Sequence, residues 1–190
     1  SVGGTVVVAQ YKGRGNEDKM RKAAGQVILA TCTIAIVLSL FLIAFSDVMV
    51  RFLFGAADPV VIEKAQIYLV GVAISQFAFS VYMGAFSVFR GVGATSICLW
   101  LTIIINVIHL FGSIIFLNIM HLDILGTTLS LNIARLLGGL VAIFMMFWPK
   151  SIVRINLRDI FQINKPILRS IFKIGIPFAM EQIFFNGGNM

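Results

Sequence analysis

Long apolar stretches alternate with short charged ones along most of the chain. Four stretches carry no Asp, Glu, Lys or Arg except for Arg135: 23–46, 65–89, 91–122 and 124–149. A helix needs about 20 largely apolar residues to cross a bilayer. The pattern therefore predicts several membrane-spanning helices joined by short charged loops.

We divide the chain into six predicted segments, named A to F. A ends near 10, B covers roughly 23–50, C 62–89, D 95–118 and E 124–148, and F begins near 167. Hydrocarbon offers the backbone no hydrogen bonds, so spans are helices or closed barrels. Barrel strands are only about 10 residues long and alternate in character. The longer apolar runs here predict an all-α, polytopic membrane helix bundle.

Composition supports a membrane protein over the other classes. The chain is 59% hydrophobic and 12% charged, whereas soluble domains are about 45–50% apolar and roughly 25% charged. The two cysteines, Cys32 and Cys98, lie in or beside apolar runs, with no spacing typical of a disulfide or metal site. The sequence has no nucleophile elbow, P-loop or HExxH motif, and we expect no enzyme, no metal and no organic cofactor.

The two ends of the chain look incomplete. Segment A is about ten residues long, or roughly 15 Å of helix, which is half a bilayer. Segment F has only seventeen residues after Lys173. We therefore expect the chain to be a piece of a larger protein.

Positive charge is concentrated in alternate loops. The A–B loop carries five Lys/Arg, the C–D loop Arg90, and the E–F loop six, whereas the opposite loops carry only Arg51 and Lys64. The positive-inside rule then predicts that the twelve residues face the cytoplasm from the cell (inner or plasma) membrane. Because the net charge of +7 is divided among membrane loops, we expect no nucleic-acid partner.

The E–F segment, "KSIVRINLRDIFQINKPILRSIFK", is longer than the other loops. Apolar Ile152, Ile155 and Ile160 alternate with charged Arg154 and Arg158. This pattern is typical of an amphipathic helix lying on the inner membrane surface. A charged loop that packs on its neighbours fits it equally well.

Three spans carry a polar stripe at helical spacing. The stripes are Thr102, Asn106, His109 and Ser113 in D; Thr128, Asn132, Arg135 and Gly139 in E; and Gln76, Ser80, Gly84 and Ser87 in C. They indicate an interior cleft, with Gln76, Asn106, His109 and Asn132 as candidates for the polar pathway that it would form. Small and hydroxyl residues also serve as helix-packing positions, and His109 also fits a hydrogen-bonded core histidine.

Two ionisable residues fall deep in the spans. Arg135 lies about 17 Å into E, where a charge usually faces a cavity or a partner. Glu181 lies about 12 Å beyond Lys173, at a similar depth, and Pro177 removes a backbone hydrogen bond of F one turn earlier. Glu181 fits a carboxylate that gains and loses a proton, and Arg135 fits a pathway residue. A structural tether and a permanently paired carboxylate are the alternatives.

Four motifs, taken together, resemble the MATE (multidrug and toxic compound extrusion) family. "AQYKGRGNEDKMRKAAGQ", with its turn at Gly13, resembles the loop between helices two and three, and "FRGVGATS" resembles the turn after helix four, with Arg90, Gly91 and Gly93. "ILGTTLSLNIARLLGGL" is similar to helix six, and "IGIPFAMEQIFFNGGNM" to the start of helix seven. The motifs occur in the family's order across nearly the whole chain.

The resemblance implies one partial six-helix lobe of a twelve-helix transporter. Residues 1–149 would hold the end of helix two to helix six, 150–166 the cytoplasmic linker between lobes, and 167–190 the start of the second lobe. It also implies a monomeric antiporter that exports small organic, often cationic, compounds in exchange for H⁺ or Na⁺ by alternating access. A lipid-linked oligosaccharide flippase of the same superfamily and a non-transport membrane scaffold are the alternatives.

Overall fold

The computed structural model describes residues 2–54, 58–120, 123–148, 153 and 155–187. Eight α-helices follow one another in these residues: α1 (Val2–Gly13), α2 (Glu17–Ala44), α3 (Ser46–Phe54), α4 (Pro59–Gly91), α5 (Thr95–Ile114), α6 (Asp123–Phe147), α7 (Leu157–Phe161) and α8 (Lys165–Gly187). A π-helical turn, Ile115–Ile119, continues α5. The described part of the chain contains no strand, which confirms the predicted all-α class.

Four helices are long and apolar enough to cross a membrane: Glu17–Ala44, Pro59–Gly91, Thr95–Ile119 and Ile124–Phe147. They correspond to segments B, C, D and E, so the predicted polytopic bundle is confirmed. Large apolar side chains project from these helices, and Leu40, Trp100 and Phe144 are 63%, 63% and 61% exposed. Apolar surface this extensive needs lipid or protein to cover it.

Segment B starts earlier than its hydropathy predicts. α2 begins at Glu17 rather than near Ala23 because Asn16 caps it, with Oδ1 accepting a hydrogen bond from the Lys19 backbone N–H at 3.0 Å. Such a side-chain acceptor satisfies one of the free N–H groups of a helix start. Glu17 and Asp18 occupy the first turn, where negative charge is favourable.

Segment B is also interrupted before its predicted end. α2 ends at Ala44 and α3 begins at Ser46, so the prediction of one helix to Val50 is wrong. The hydroxyl of Ser46 donates to the carbonyl of Ile43 at 3.0 Å. This bond adds a side-chain donor to one of the last carbonyls of α2.

The three basic loops lie at one end of the bundle. Lys12, at the end of α1, donates a hydrogen bond to the backbone carbonyl of Val92, in the turn after α4. Gln26, near the start of α2, hydrogen-bonds to the backbone of Asp159 and Gln162 in the E–F segment. The membrane face that this end occupies stays a prediction.

α4 is the central helix, and it packs through two opposite faces. Small residues on one face meet α2 and α1: the Ser80 hydroxyl lies 3.7 Å from Cys32 Sγ, and the Ser87 hydroxyl lies 2.9 Å from that of Thr5. A methyl group at Gly84 would lie 2.8 Å from Thr31 Oγ1. Ser80, Gly84 and Ser87 of the predicted stripe of C therefore form a packing face.

α8 packs on the side of the bundle opposite α5. It contacts α1 and α2 but, within the described residues, neither α4, α5 nor α6. α1 and α8 approach closely at Gly3, where a methyl group would lie 2.9 Å from the backbone nitrogen of Gly175. The absence of a side chain at Gly3 is what allows the two backbones to meet.

The E–F segment forms a five-residue helix, α7, rather than a long surface helix. α7 packs on α2, and Val153 and Ile155 before it are 0% and 2% exposed. The described part of the E–F segment thus fits the alternative of a loop that packs on its neighbours. Ile152 and Arg154 lie outside the residues that the structure describes. Asn164 then caps α8, its Oδ1 accepting from the Ile167 backbone N–H at 3.4 Å.

Candidate functional site

Arg135 lies at the contact between α6 and α4. Its Nη1 donates a hydrogen bond to the Ser75 hydroxyl at 2.7 Å, and its guanidinium carbon lies 4.6 Å from the centre of the Phe79 ring. Ser75 is buried and donates its own proton to the Val72 carbonyl at 2.9 Å. A hydrogen bond and a cation–π contact therefore hold a half-buried charge in one orientation.

The rest of the E stripe packs against the same face of α4. Asn132 Nδ2 donates to the Thr128 carbonyl at 2.8 Å, within α6. A methyl group at Gly71 would press on the Thr128 side chain, and one at Gly139 would lie 2.9 Å from the Ala78 carbonyl oxygen. Small residues at these positions let the two helices approach closely.

The D stripe is divided between two neighbours and the surface. The hydroxyl of Thr102 donates to the Cys98 carbonyl at 2.9 Å and lies 3.3 Å from the Tyr82 hydroxyl of α4. Asn106 is exposed, and its Nδ2 donates to the Thr102 carbonyl at 2.8 Å. His109 instead faces α6, where its Nδ1 lies 3.1 Å from the Ser130 hydroxyl.

A groove of about 460 Å³ runs between α4 and α6 at the end opposite the basic loops. Its polar lining comes from Glu63, Gln66, Thr128 and Asn132, and the rest is apolar. Asn132, a predicted pathway residue, thus borders this groove. Gln76 is half-buried on α4 and does not line it.

The structure does not bring Arg135 and Glu181 together. Glu181 is exposed on α8, a helix that does not contact α6 within the described residues. The described ion pairs are Arg21–Asp18 and Arg51–Asp47, so neither Arg135 nor Glu181 belongs to one. Pro177 lies inside α8 without ending it. A role for either residue in transport stays a prediction.

The predicted turn residues differ in their surroundings. Gly93 has a φ of 77°, a left-handed conformation that glycine adopts easily. A methyl group at Gly91 would lie 2.7 Å from the Thr5 carbonyl oxygen, so Gly91 lets α1 approach α4. Gly13 has open space around it, and Arg90 is exposed. No group of three metal-ligating side chains occurs among the described residues.

Sequence reasoning missed the face of α4 that meets α6, which includes Ser75, the hydrogen-bond partner of Arg135. Gly71, Ser75 and Ala78 follow helical spacing and form the face of α4 that meets α6, opposite the predicted stripe. Their small size was the available signal. Gln26 was missed as well, because its polar partners are more than 130 residues away along the chain.

The relatives found by comparison with known proteins include two from bacteria. An uncharacterized transporter of Bacillus subtilis, YisQ, is 25% identical over 194 residues, covering 100% of this chain and 42% of its own length. A probable multidrug resistance protein of Thermotoga maritima, NorM, is 23% identical over 199 residues, covering 99% of this chain and 40% of its own length. The chain thus spans about two fifths of the length of these relatives.

Two solved structures share the fold. One is an inward-facing multidrug resistance MATE family transporter of the MOP superfamily, with a TM-score of 0.83, 18% identity, and coverage of 93% of this chain and 40% of its own. The other is an outward-facing structure, with a TM-score of 0.88, 18% identity, and coverage of 96% and 40%. The sequence model of the MatE family matches residues 1–115, and the chain therefore belongs to the MatE family.

Proposed function

We propose that the complete protein is a secondary active antiporter. It exports small organic, often cationic, compounds in exchange for H⁺ or Na⁺ by alternating access. The observation that carries the proposal is the match of the MatE family to residues 1–115. The four apolar helices support it, since they give the chain the spans that a transporter requires.

The proposal includes the orientation of the bundle. The three basic loops share one end, as the contacts of Lys12 with Val92 and of Gln26 with Asp159 indicate. Since positive residues are retained on the cytoplasmic side, we place this end in the cytoplasm and the groove bordered by Asn132 near the outer face. The protein would lie in the cell (inner or plasma) membrane.

Arg135 and Glu181 take different roles in this proposal. Arg135 is a fixed charge that ties α6 to α4 through Ser75 and Phe79. Glu181 is exposed on α8, which packs on another side of the bundle. An ion drives a conformational cycle only through a difference in affinity between states. We assign that difference to Glu181, because a carboxylate takes up H⁺ or Na⁺ and no described side chain neutralises it.

The test is transport by the complete protein in proteoliposomes. An imposed inward gradient of H⁺ or Na⁺ should drive a fluorescent organic cation such as ethidium outward, and dissipating the gradient should stop it. The flippase alternative is tested in the same vesicles by measuring the movement of a fluorescent lipid-linked oligosaccharide between the two leaflets. Movement of that lipid with no gradient-driven movement of ethidium would overturn the antiporter proposal.

A further inference from the structure

His109 and Ser130 join α5 to α6 through a closed set of hydrogen bonds. The Ser130 hydroxyl donates to the backbone carbonyl of His109 at 2.8 Å. The same oxygen lies 3.1 Å from His109 Nδ1 and 3.2 Å from the hydroxyl of Ser113, one turn further along α5. Gly112 leaves room for this contact, since a methyl group there would lie 2.6 Å from the Ser130 oxygen.

The number of protons that the hydroxyl groups of this network can donate bears on which nitrogen of the His109 imidazole is protonated. A serine hydroxyl has one proton and two lone pairs. Of the two contacts between Ser130 and His109, the one to the carbonyl is shorter, 2.8 Å against 3.1 Å, so the Ser130 proton is assigned to the carbonyl. With that assignment its lone pairs accept hydrogen bonds from Ser113 and from His109 Nδ1. In this arrangement Nδ1 carries the proton of the neutral ring and Nε2 carries the lone pair.

His109 Nε2, the ring nitrogen that carries the lone pair, has no hydrogen-bond partner among the described residues. The ring is half-buried. His109 lies fourteen residues after Thr95, or about 21 Å along a helix that crosses a hydrocarbon core about 30 Å thick. An unpaired polar nitrogen at this depth needs water or a proton.

None of the charged and titratable side chains that the structure describes around His109 hydrogen-bonds Nε2. On the elements packed against α5 these are Glu63, Lys64, Tyr68, Tyr82 and Arg90 of α4 and Arg135 of α6, and the π-helical turn has none. The first residue of α6, Asp123, has a side chain that is not among those described. Arg135 is bound to Ser75, and the Tyr82 hydroxyl faces Thr102, two turns from His109. Ser130 is the one described side chain that hydrogen-bonds the ring.

We infer that His109 Nε2 is a proton-binding site within the first lobe. Protonation converts the ring from neutral to singly positive without breaking the Nδ1–H bond to Ser130. The charge therefore appears in a ring whose orientation is already fixed by α6. Asn106 lies one turn away on α5; its Nδ2 donates to the Thr102 carbonyl, and its Oδ1 has no hydrogen-bond partner among the described residues.

The link to transport rests on the proposed function, whereas the proton site does not. In a proton-driven antiporter a histidine is suited to this task, since its neutral ring has one nitrogen that can accept a proton. The site would add a second titrating group to the cycle, separate from Glu181 on α8.

The first measurement is nitrogen NMR of the complete protein in lipid nanodiscs, labelled with ¹⁵N-histidine. The His109 signals are those lost in His109→Gln and retained in His121→Asn. In the neutral ring we expect a protonated Nδ1 and an unprotonated Nε2, and on acidification both nitrogens should become protonated. A neutral ring with its proton on Nε2, or a ring that takes up no second proton on acidification, would overturn the inference.

Two serine variants test the cause of this state. Ser130→Ala should release the neutral ring to the form protonated on Nε2, and Ser113→Ala should leave it protonated on Nδ1. An unchanged ring in Ser130→Ala would contradict the proton count. In proteoliposomes Ser130→Ala should shift the pH profile of ethidium export relative to Ser113→Ala. If the wild type exports nothing, the antiporter proposal fails while the NMR result decides the proton site.

Discussion

The side-chain Nε2 of Gln26, on α2, donates a hydrogen bond at 2.8 Å to the backbone carbonyl of Gln162, which precedes α8. Its Oε1 accepts from the Asn164 backbone N–H at 3.1 Å, and the side chain is 0% exposed. A buried amide with both ends bonded ties two distant segments. The start of α8 is thus attached to α2, and any bending of α8 relative to the bundle must occur beyond Asn164.

Replacing Gln26 by Leu should release this attachment. The change leaves backbone groups of 162 and 164 without partners, which costs about 1–3 kcal/mol for each group that stays buried. We expect faster hydrogen exchange of the amides of 156–164 in the complete protein. Gln10→Leu is the control, since Gln10 is exposed at the end of α1. Equal exchange in the two variants would show that Gln26 does not hold the linker.

The crossing of α1 and α8 predicts a difference between two glycines of α1. Gly3→Ala would place a methyl group 3.1 Å from the Cα of Gly175 and closer still to the Ile171 carbonyl. We expect it to lower stability by about 1–3 kcal/mol, as overpacking does. Gly13→Ala meets nothing within 4 Å and should be neutral or slightly stabilising because Ala favours helix.

Thermal unfolding of the complete protein in detergent compares the two glycine variants. The midpoint of Gly3→Ala should fall below that of the wild type, and that of Gly13→Ala should not. A wild-type midpoint for Gly3→Ala would mean that the α1–α8 contact is looser than the structure indicates.

Arg135 and Ser75 should behave as a coupled pair. A double-mutant cycle with Arg135→Ala and Ser75→Ala should give a coupling of about 0.5–2 kcal/mol, the range of single interhelical hydrogen bonds in membranes. Ser80→Ala is the matched control, because Ser80 lies on the opposite face of α4 beside Cys32. Reversible unfolding in mixed micelles supplies the free energies. Coupling of Arg135 to Ser80 as large as to Ser75 would exclude a specific tether.

The hydropathy of the sequence was sufficient to predict the membrane-spanning helices, but it could not predict the contacts between them. Runs of apolar residues identified α2, α4, α5 and α6 because bilayer thickness sets their length. The break at Phe45 has no Pro or Gly to mark it, so it was not predictable. The link from Gln26 to Gln162 depends on tertiary packing. Helical periodicity did place Arg135 and Asn132 on one face of α6. The face of α4 that meets it consists of small residues, so its sequence showed no comparable polar pattern.

The orientation of the bundle predicts opposite labelling of two exposed positions. In a background without Cys32 and Cys98, we expect a cysteine at Lys19 to be protected from an impermeant maleimide in intact cells. One at Glu63 should react, since both positions are exposed and positive loops stay inside. Permeabilised cells provide the control, in which both should react. Reaction of Lys19→Cys in intact cells would reverse the orientation.

The central claim is antiport coupled through Glu181, and ion-driven transport by the complete protein in proteoliposomes tests it most directly. Wild type should move ethidium against its gradient only while an opposing H⁺ or Na⁺ gradient is present. Glu181→Gln, which fixes a neutral side chain, should still bind ethidium but lose gradient-driven movement. Ethidium movement by the wild type that does not depend on either the H⁺ or the Na⁺ gradient would contradict antiport. Movement by Glu181→Gln at the wild-type rate would contradict the coupling role of Glu181.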